Sequence, residues 1–192
     1  MGRRCFGKLV LEGIGTVILG NVLCAIMTAG IYVFGSNIVT KVLSVMCGVL
    51  IFQLLILTFG WREGKRERGL VRYKRVEREK RYRCLTAGII MFVFAAVPSA
   101  LLLLNKLLLP REDFIILYQF ISGSAFPFVQ AFVPRVEAEL AWAGSGALRI
   151  DGMSILFPIL MCAYYLLIPF AAQFGFWCGY ENKLDPSKIV YK

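Results

Sequence analysis

The chain has 192 residues, and its 58% hydrophobic content exceeds the apolar share of a typical soluble domain. This length accommodates one membrane domain and leaves too little polar sequence for a separate soluble one. The formal net charge is +10, and seven of those charges fall within residues 61–83, where eleven basic residues stand against four acidic ones. Because the charge is concentrated there and no nucleic-acid-binding motif accompanies it, the basicity indicates membrane topology rather than a nucleic-acid partner.

Histidine is absent from the sequence. It is the commonest general base and metal ligand, so its absence argues against ordinary hydrolases and metalloenzymes. The six cysteines form no C-x-x-C pair, and we expect them to be buried apolar side chains rather than disulfide partners. We therefore predict no catalytic residue, no metal ligand and no cofactor.

Four apolar segments are each long enough to cross a bilayer as a helix, which takes about 20 residues. They cover residues 9–34, 39–60, 85–105 and 153–177. Since backbone groups in lipid must form hydrogen bonds within their own segment, each is predicted to be helical. The predicted fold class is all-α: a polytopic membrane protein with four transmembrane helices in a bundle.

The first span carries polar and small side chains along one face. Glu12 lies about one turn inside the span, where a carboxylate is costly and marks a functional hypothesis, although it can also reach water or pair with Lys8. Thr16 and Gly20 follow at a spacing of four, and Asn21 lies beside them near mid-membrane. Small residues on one face allow a second helix to approach closely.

The second span adds Gln53, whose amide can form a hydrogen bond across a helix pair. The sequence thus predicts an intramembrane polar or packing site. Its members are Glu12, Thr16, Gly20, Asn21 and Gln53. Ordinary packing within the bundle is the plainer interpretation, and a polar path or an oligomer interface are the alternatives.

Residues 61–83 form a basic loop that cannot enter hydrocarbon and is predicted to be cytoplasmic. We expect Gly64 and Gly69 to mark where the chain leaves the second span, and the i, i+4 pair Glu77/Arg81 to favour a charged helix leading into the third. Its cations are candidate contacts for anionic lipid headgroups or for an acidic partner. They are Arg62, Lys65, Arg66, Arg68, Arg72, Lys74, Arg75, Arg78, Lys80, Arg81 and Arg83.

The segment 106–152 is predicted to be external. Residues 114–133 are apolar enough for a fifth span, but Ser122–Ser124 and Pro127 interrupt them. A fifth span would also separate the basic tail from the other basic segments, so we expect an interfacial or re-entrant helix instead. Residues 136–146 would then form an exposed loop.

Prolines interrupt the last two spans: Pro98 lies in the third, and Pro158 and Pro169 lie in the fourth. Proline lacks the N–H that continues a helix, so we expect bends there. Bent helices occur in transporters and channels, although prolines are also common in membrane spans generally.

The distribution of Lys and Arg orients the chain. The N-terminus, the 61–83 loop and the tail hold 17 basic residues, whereas the opposite side holds five. Positive residues concentrate on the cytoplasmic side, so both termini are predicted to be cytoplasmic.

Several short motifs resemble those of a group of uncharacterised four-span bacterial membrane proteins. They are Trp61–Gly64, Ala87–Ile89, Val97–Ser99 and Lys188–Lys192. The resemblance implies a bacterial plasma membrane and the same four-span layout. It implies no activity and no functional residues.

We therefore expect a protein that acts through association in the membrane, as a homo-oligomer or as a subunit of a larger complex, with the bilayer and anionic headgroups as partners. The alternative is a small transporter or channel with a polar path near Glu12, Asn21 and Gln53. An enzyme is the least favoured class, because the scattered carboxylates show no pairing.

Overall fold

A computed structural model describes the chain over residues 5–35, 37–73, 82–108, 113–133, 135–136, 147–148 and 153–181. Helices dominate these ranges. They are α1 (Phe6–Tyr32), α2 (Ile38–Arg72), α3 (Arg83–Leu108), α4 (Asp113–Ile121), α5 (Phe126–Phe132), α6 (Leu156–Tyr165) and α7 (Leu167–Glu181). A single 3₁₀ turn, Gly123–Ala125, joins α4 to α5. The predicted all-α fold class is confirmed.

Among the described residues, four helical stretches are long and apolar enough to cross a membrane: α1, α2, α3 and the α6–α7 stretch Leu156–Glu181. Between 28% and 33% of the residues in their most apolar windows are buried inside the protein. Most of the apolar surface therefore faces outward, which suits lipid rather than water as the solvent. The chain is a polytopic helical membrane protein, and its four predicted spans coincide with these stretches.

The helix that contains the second predicted span, residues 39–60, extends beyond the C-terminal end of that span. α2 has 35 residues and is about 52 Å long, well beyond the roughly 30 Å of a bilayer's hydrocarbon core. The helix continues through Gly64 and Gly69 to Arg72, and the point at which the chain leaves the second span stays a prediction. Gly64 packs against α7, and this tertiary contact outweighs the low helix propensity of glycine. The helix predicted around Glu77 and Arg81 lies outside the described residues.

Two short strands lie in the segment between α5 and α6. β1 (Arg135–Val136) and β2 (Ala147–Leu148) pair antiparallel, with Arg135 opposite Leu148. Residues 137–146, the greater part of the predicted exposed loop, lie outside the described residues.

The chain divides into two compact units. The terminal unit contains residues 1–18, 53–94 and 166–192, and the central unit contains residues 19–52 and 95–165. The boundary between the units divides α1, α2 and α3, so each of these helices belongs partly to one unit and partly to the other.

In the terminal unit, α2 and α7 approach each other through Gly60 and Gly64 on one helix and Gly175 and Gly179 on the other. A Cβ atom at any of the four would overlap a backbone carbonyl oxygen of the facing helix. Those carbonyls belong to Ala172, Phe176, Leu57 and Trp61, respectively. Each helix thus contributes one Gly-x-x-x-Gly motif, the pattern that lets two membrane helices pack backbone to backbone.

The other two helices of the terminal unit also pack through glycines. A Cβ on Gly13 of α1 would lie 2.6 Å from the sulfur of Met91 on α3. A Cβ on Gly88 of α3 would lie 2.7 Å from the Cα of Pro169 on α7. Both distances are shorter than real Cβ contacts, so close helix packing requires glycine at these two positions.

In the central unit, α1, α2 and α5 meet around Gly48. The Cys24 thiol donates a hydrogen bond to the Gly48 carbonyl at 3.3 Å, and a Cβ on Gly48 would lie 2.8 Å from the ring of Pro127. Phe52 of α2 and Tyr165 of α6 are both buried, and their rings meet edge to face at 6.1 Å. This core supports the segment that links α4 to α5.

Candidate functional site

The candidate site is the break between α4 and α5, within the central unit. α4 has nine residues and α5 has seven, so neither approaches the roughly 20 needed for a span. Ser122, Gly123, Ser124 and Ala125, which form the break, are all buried. Non-helical backbone within a membrane protein persists only where the protein or trapped water satisfies its polar groups.

Asn21 of α1 holds this break through both ends of its side-chain amide. Its Nδ2 donates to the carbonyl oxygen of Ile121 at 3.3 Å, and its Oδ1 accepts from the backbone N–H of Ser124 at 3.1 Å. Gly123 lies so close to the Asn21 carbonyl that a Cβ would overlap it. One amide therefore satisfies a backbone acceptor on one side of the break and a backbone donor on the other.

The position of Asn21 fixes the depth of the break. Asn21 precedes Tyr32, the last residue of α1, by eleven residues, or about 16 Å along the helix axis. Half of a hydrocarbon core is about 15 Å. The break thus meets α1 near the middle of that helix.

A second interrupted helix reaches the same place. α6 ends at Tyr165, and proline at position 169 cannot donate the hydrogen bond that would carry the helix through that residue. The hydroxyls of Tyr165 and Ser124 share a hydrogen bond at 3.0 Å, and the hydroxyl of Ser122 also bonds Tyr165. All three side chains are buried. Two helix interruptions therefore meet at a cluster of hydroxyl groups.

A further hydroxyl pair anchors α4 to α3. The hydroxyls of Ser99 and Tyr118 share a hydrogen bond at 3.0 Å, and both residues are almost fully buried. Ser99 directly follows Pro98, and α3 continues through that proline to Leu108. We call Asn21, Ser99, Tyr118, Ser122, Ser124 and Tyr165 the hydroxyl cluster, since five of its six members carry a hydroxyl.

The hydroxyl cluster is uncharged. Its members offer neutral donors and acceptors and lack the carboxylates that divalent cations prefer as ligands. Among the described residues, no group of three or more Cys, Asp or Glu side chains could hold a metal ion. The arrangement can form hydrogen bonds to a neutral polar molecule. Alternatively, its members can bond to one another and hold the break between α4 and α5 in place, and a polar molecule would then replace those bonds.

The predicted polar and packing residues are divided between the two units. Asn21 belongs to the hydroxyl cluster, and Gly20 beside it is buried. Glu12 and Thr16 are half-buried in the terminal unit, where the Thr16 hydroxyl donates to the Glu12 carbonyl at 2.9 Å within its own helix. Gln53 lines a groove of the terminal unit.

The predicted basic contacts that the structure describes lie on the α2 extension and at the start of α3. Arg62, Lys65 and Arg72 are exposed, and the Lys65 ammonium lies 4.0 Å from the centre of the Trp61 ring. The remaining three, Arg66, Arg68 and Arg83, are half-buried. The predicted contacts Lys74, Arg75, Arg78, Lys80 and Arg81 lie outside the described residues.

Sequence reasoning missed most of the hydroxyl cluster. Ser99, Tyr118 and Tyr165 carry hydroxyl groups in apolar segments, and each needs a hydrogen-bond partner in lipid. That requirement could have singled them out. It could not have paired them, because the partners lie 19 and 41 residues apart along the chain.

The fold and this site define a polytopic helical membrane protein with a buried break between two short helices. No protein family model, curated protein or solved structure matches the chain. Its function must therefore be argued from the site itself.

Proposed function

We propose that this protein is a small membrane transporter or channel whose solute path passes the break between α4 and α5. The observation that carries the proposal is the contact between Ser124 and Tyr165, where two interrupted helices meet at buried hydroxyls. Interrupted helices near mid-membrane recur at the solute sites of transporters, because they free backbone and side-chain polar groups for a ligand.

The chemistry of the cluster points to a small neutral polar solute. An anion would need a basic side chain and a divalent cation would need carboxylates, and the hydroxyl cluster contains neither. A neutral solute with hydroxyl or amide groups could replace the bonds that Asn21, Ser124 and Tyr165 make to one another. The arrangement then corresponds to a closed state in which the protein satisfies its own polar groups.

Flux into proteoliposomes tests the proposal. Vesicles with the protein should take up glycerol or urea faster than empty vesicles, and Tyr165→Phe should change the rate by about fivefold, the effect of losing a hydrogen bond worth about 1 kcal/mol. Tyr82→Phe is the matched control, since Tyr82 is 67% exposed and outside the cluster. Uptake no faster than in empty vesicles would refute the proposal.

Association with a cytoplasmic partner is the second candidate function, and the length of α2 favours it. The helix extends beyond the bilayer thickness and presents exposed Arg62, Lys65 and Arg72. An acidic protein surface complements such a face. Co-purification in mild detergent should yield a particle heavier than one chain, and removal of the Arg72 charge should weaken it; a strictly monomeric particle would count against association.

We also infer that both termini and the α2 extension are cytoplasmic. The excess of basic residues in these segments supports that orientation. The short motifs shared with four-span bacterial proteins support a bacterial plasma membrane as the location.

A further inference from the structure

An open groove of about 720 Å³ lies along α7 in the terminal unit. Leu167, Phe170, Phe174 and Trp177 line it, and each is between 42% and 67% exposed. These residues extend over ten positions of one helix, or about 15 Å. That length equals the depth of one leaflet of the hydrocarbon core, about 15 Å.

The surface of the groove is almost entirely hydrocarbon. Gln53 also lines it, but both polar atoms of its amide are enclosed and have no hydrogen-bond partner among the described residues. Gln53 consequently presents its methylene stem to the groove. Ala171 also lines the groove, and its methyl group takes up less space than the larger side chains around it. Such a lining suits an alkyl chain better than a polar ligand.

A basic residue of α2, Lys65, has its backbone beside Gly179 of α7, two residues beyond the Trp177 end of this groove. Gly179 of α7 packs against the backbone of Trp61 and Lys65, so Trp177, two residues earlier, lies at the level of Trp61. The exposed Lys65 ammonium sits 4.0 Å from the centre of the Trp61 ring. Tryptophan rings favour the membrane interface, and lysine beside them can reach the lipid phosphates.

We propose that this groove binds one anionic glycerophospholipid, with an acyl chain along α7 and the phosphate at Lys65. The apolar surface accounts for the chain, and the ammonium accounts for the negative headgroup. The site differs from general attraction of basic residues to the membrane surface, because it holds one lipid at one place. It is also independent of the solute path, since every residue that forms it belongs to the terminal unit.

Native mass spectrometry of the full chain, released from nanodiscs of equal phosphatidylglycerol and phosphatidylcholine, tests the headgroup. The wild type should retain one phosphatidylglycerol per chain. Lys65→Gln should lower that retention about tenfold, as expected for loss of one charge-assisted hydrogen bond. The matched control is Arg62→Gln, which removes an exposed charge three residues earlier and should retain the lipid. Equal losses in the two variants would overturn the proposal.

Filling the groove tests the position of the acyl chain. Ala171→Trp should abolish lipid retention while leaving Lys65 in place, whereas Val93→Trp, at a 52% exposed position of α3, should not. An elution volume and a helix content equal to those of the wild type would show that each variant is folded. Full retention in Ala171→Trp would overturn the proposal. So would a two-chain particle without lipid that Ala171→Trp converts to one chain, because the occupant would then be a second copy.

Discussion

The hydroxyl of Ser124 lies 3.0 Å from the hydroxyl of Tyr165, and this contact joins the break between α4 and α5 to the end of α6. Both side chains are buried, at 0% and 1% exposure, so neither can bond to bulk water. Each hydroxyl therefore depends on the other for a hydrogen bond, and Tyr165 also bonds Ser122. The contact makes the geometry of the break sensitive to single-atom changes.

Loss of the Asn21 amide should destabilise the central unit. Asn21→Ala removes two hydrogen bonds and leaves a backbone N–H and a carbonyl unpaired, which costs about 1–4 kcal/mol in the free energy of unfolding. Reversible unfolding in mixed SDS micelles measures this change. Val22→Ala, at a half-exposed neighbouring position, is the control. Equal stability of the two variants would contradict the role assigned to Asn21.

The Ser99–Tyr118 bond should contribute measurably to stability. Tyr118→Phe keeps the ring and removes the hydroxyl, so the free energy of unfolding should fall by about 1 kcal/mol. Tyr73→Phe should have no effect, because Tyr73 is 74% exposed at the end of α2. The same unfolding assay compares the two variants. If Tyr118→Phe had the same free energy of unfolding as the wild type, the Ser99–Tyr118 bond would not contribute to stability.

Two glycines of α2 should respond oppositely to alanine. Gly64→Ala places a Cβ against the Phe176 carbonyl and should cost about 1–3 kcal/mol. Gly69→Ala has open space around the new methyl and should stabilise the helix by about 0.5–1 kcal/mol. Thermal unfolding of both variants in one detergent makes the comparison. A stabilising Gly64→Ala would mean that α2 and α7 are not packed through their glycines.

Cysteine accessibility tests orientation and burial together. Cys5 is exposed, whereas Cys24, Cys84 and Cys178 are buried. A maleimide that cannot cross membranes should label Cys5 in inside-out vesicles and not in intact cells, since we infer a cytoplasmic N-terminus. Cys84 should stay unlabelled from either side until the protein is denatured. Labelling of Cys5 in intact cells would reverse the inferred topology.

The four spans could be predicted from the sequence because a long apolar segment that crosses a bilayer on its own must be helical. Backbone groups in lipid must bond locally, so hydropathy alone located α1, α2, α3 and the α6–α7 stretch. Interruption of 114–133 by Ser122–Ser124 likewise predicted an element other than a span. Each of these inferences needed only neighbouring residues.

The end of α2 and the hydroxyl cluster depend on distant residues and were not predicted. The sequence predicts that the chain leaves the second span at Gly64 and Gly69, and it does not reveal that the helix continues there, with Gly64 in contact with Phe176 of α7. Asn21 was singled out as polar, yet its partners Ile121 and Ser124 lie about 100 residues away. A single sequence contains no information about which of many polar residues will meet.

The glycine contacts between α2 and α7 have a mechanical consequence. Four positions without side chains bring the two backbones together, so no flexible groups cushion one helix from the other. A force on the C-terminal end of α2 would therefore move α7 together with α2. It would also change the shape of the apolar groove along α7, which Phe170 and Phe174 line.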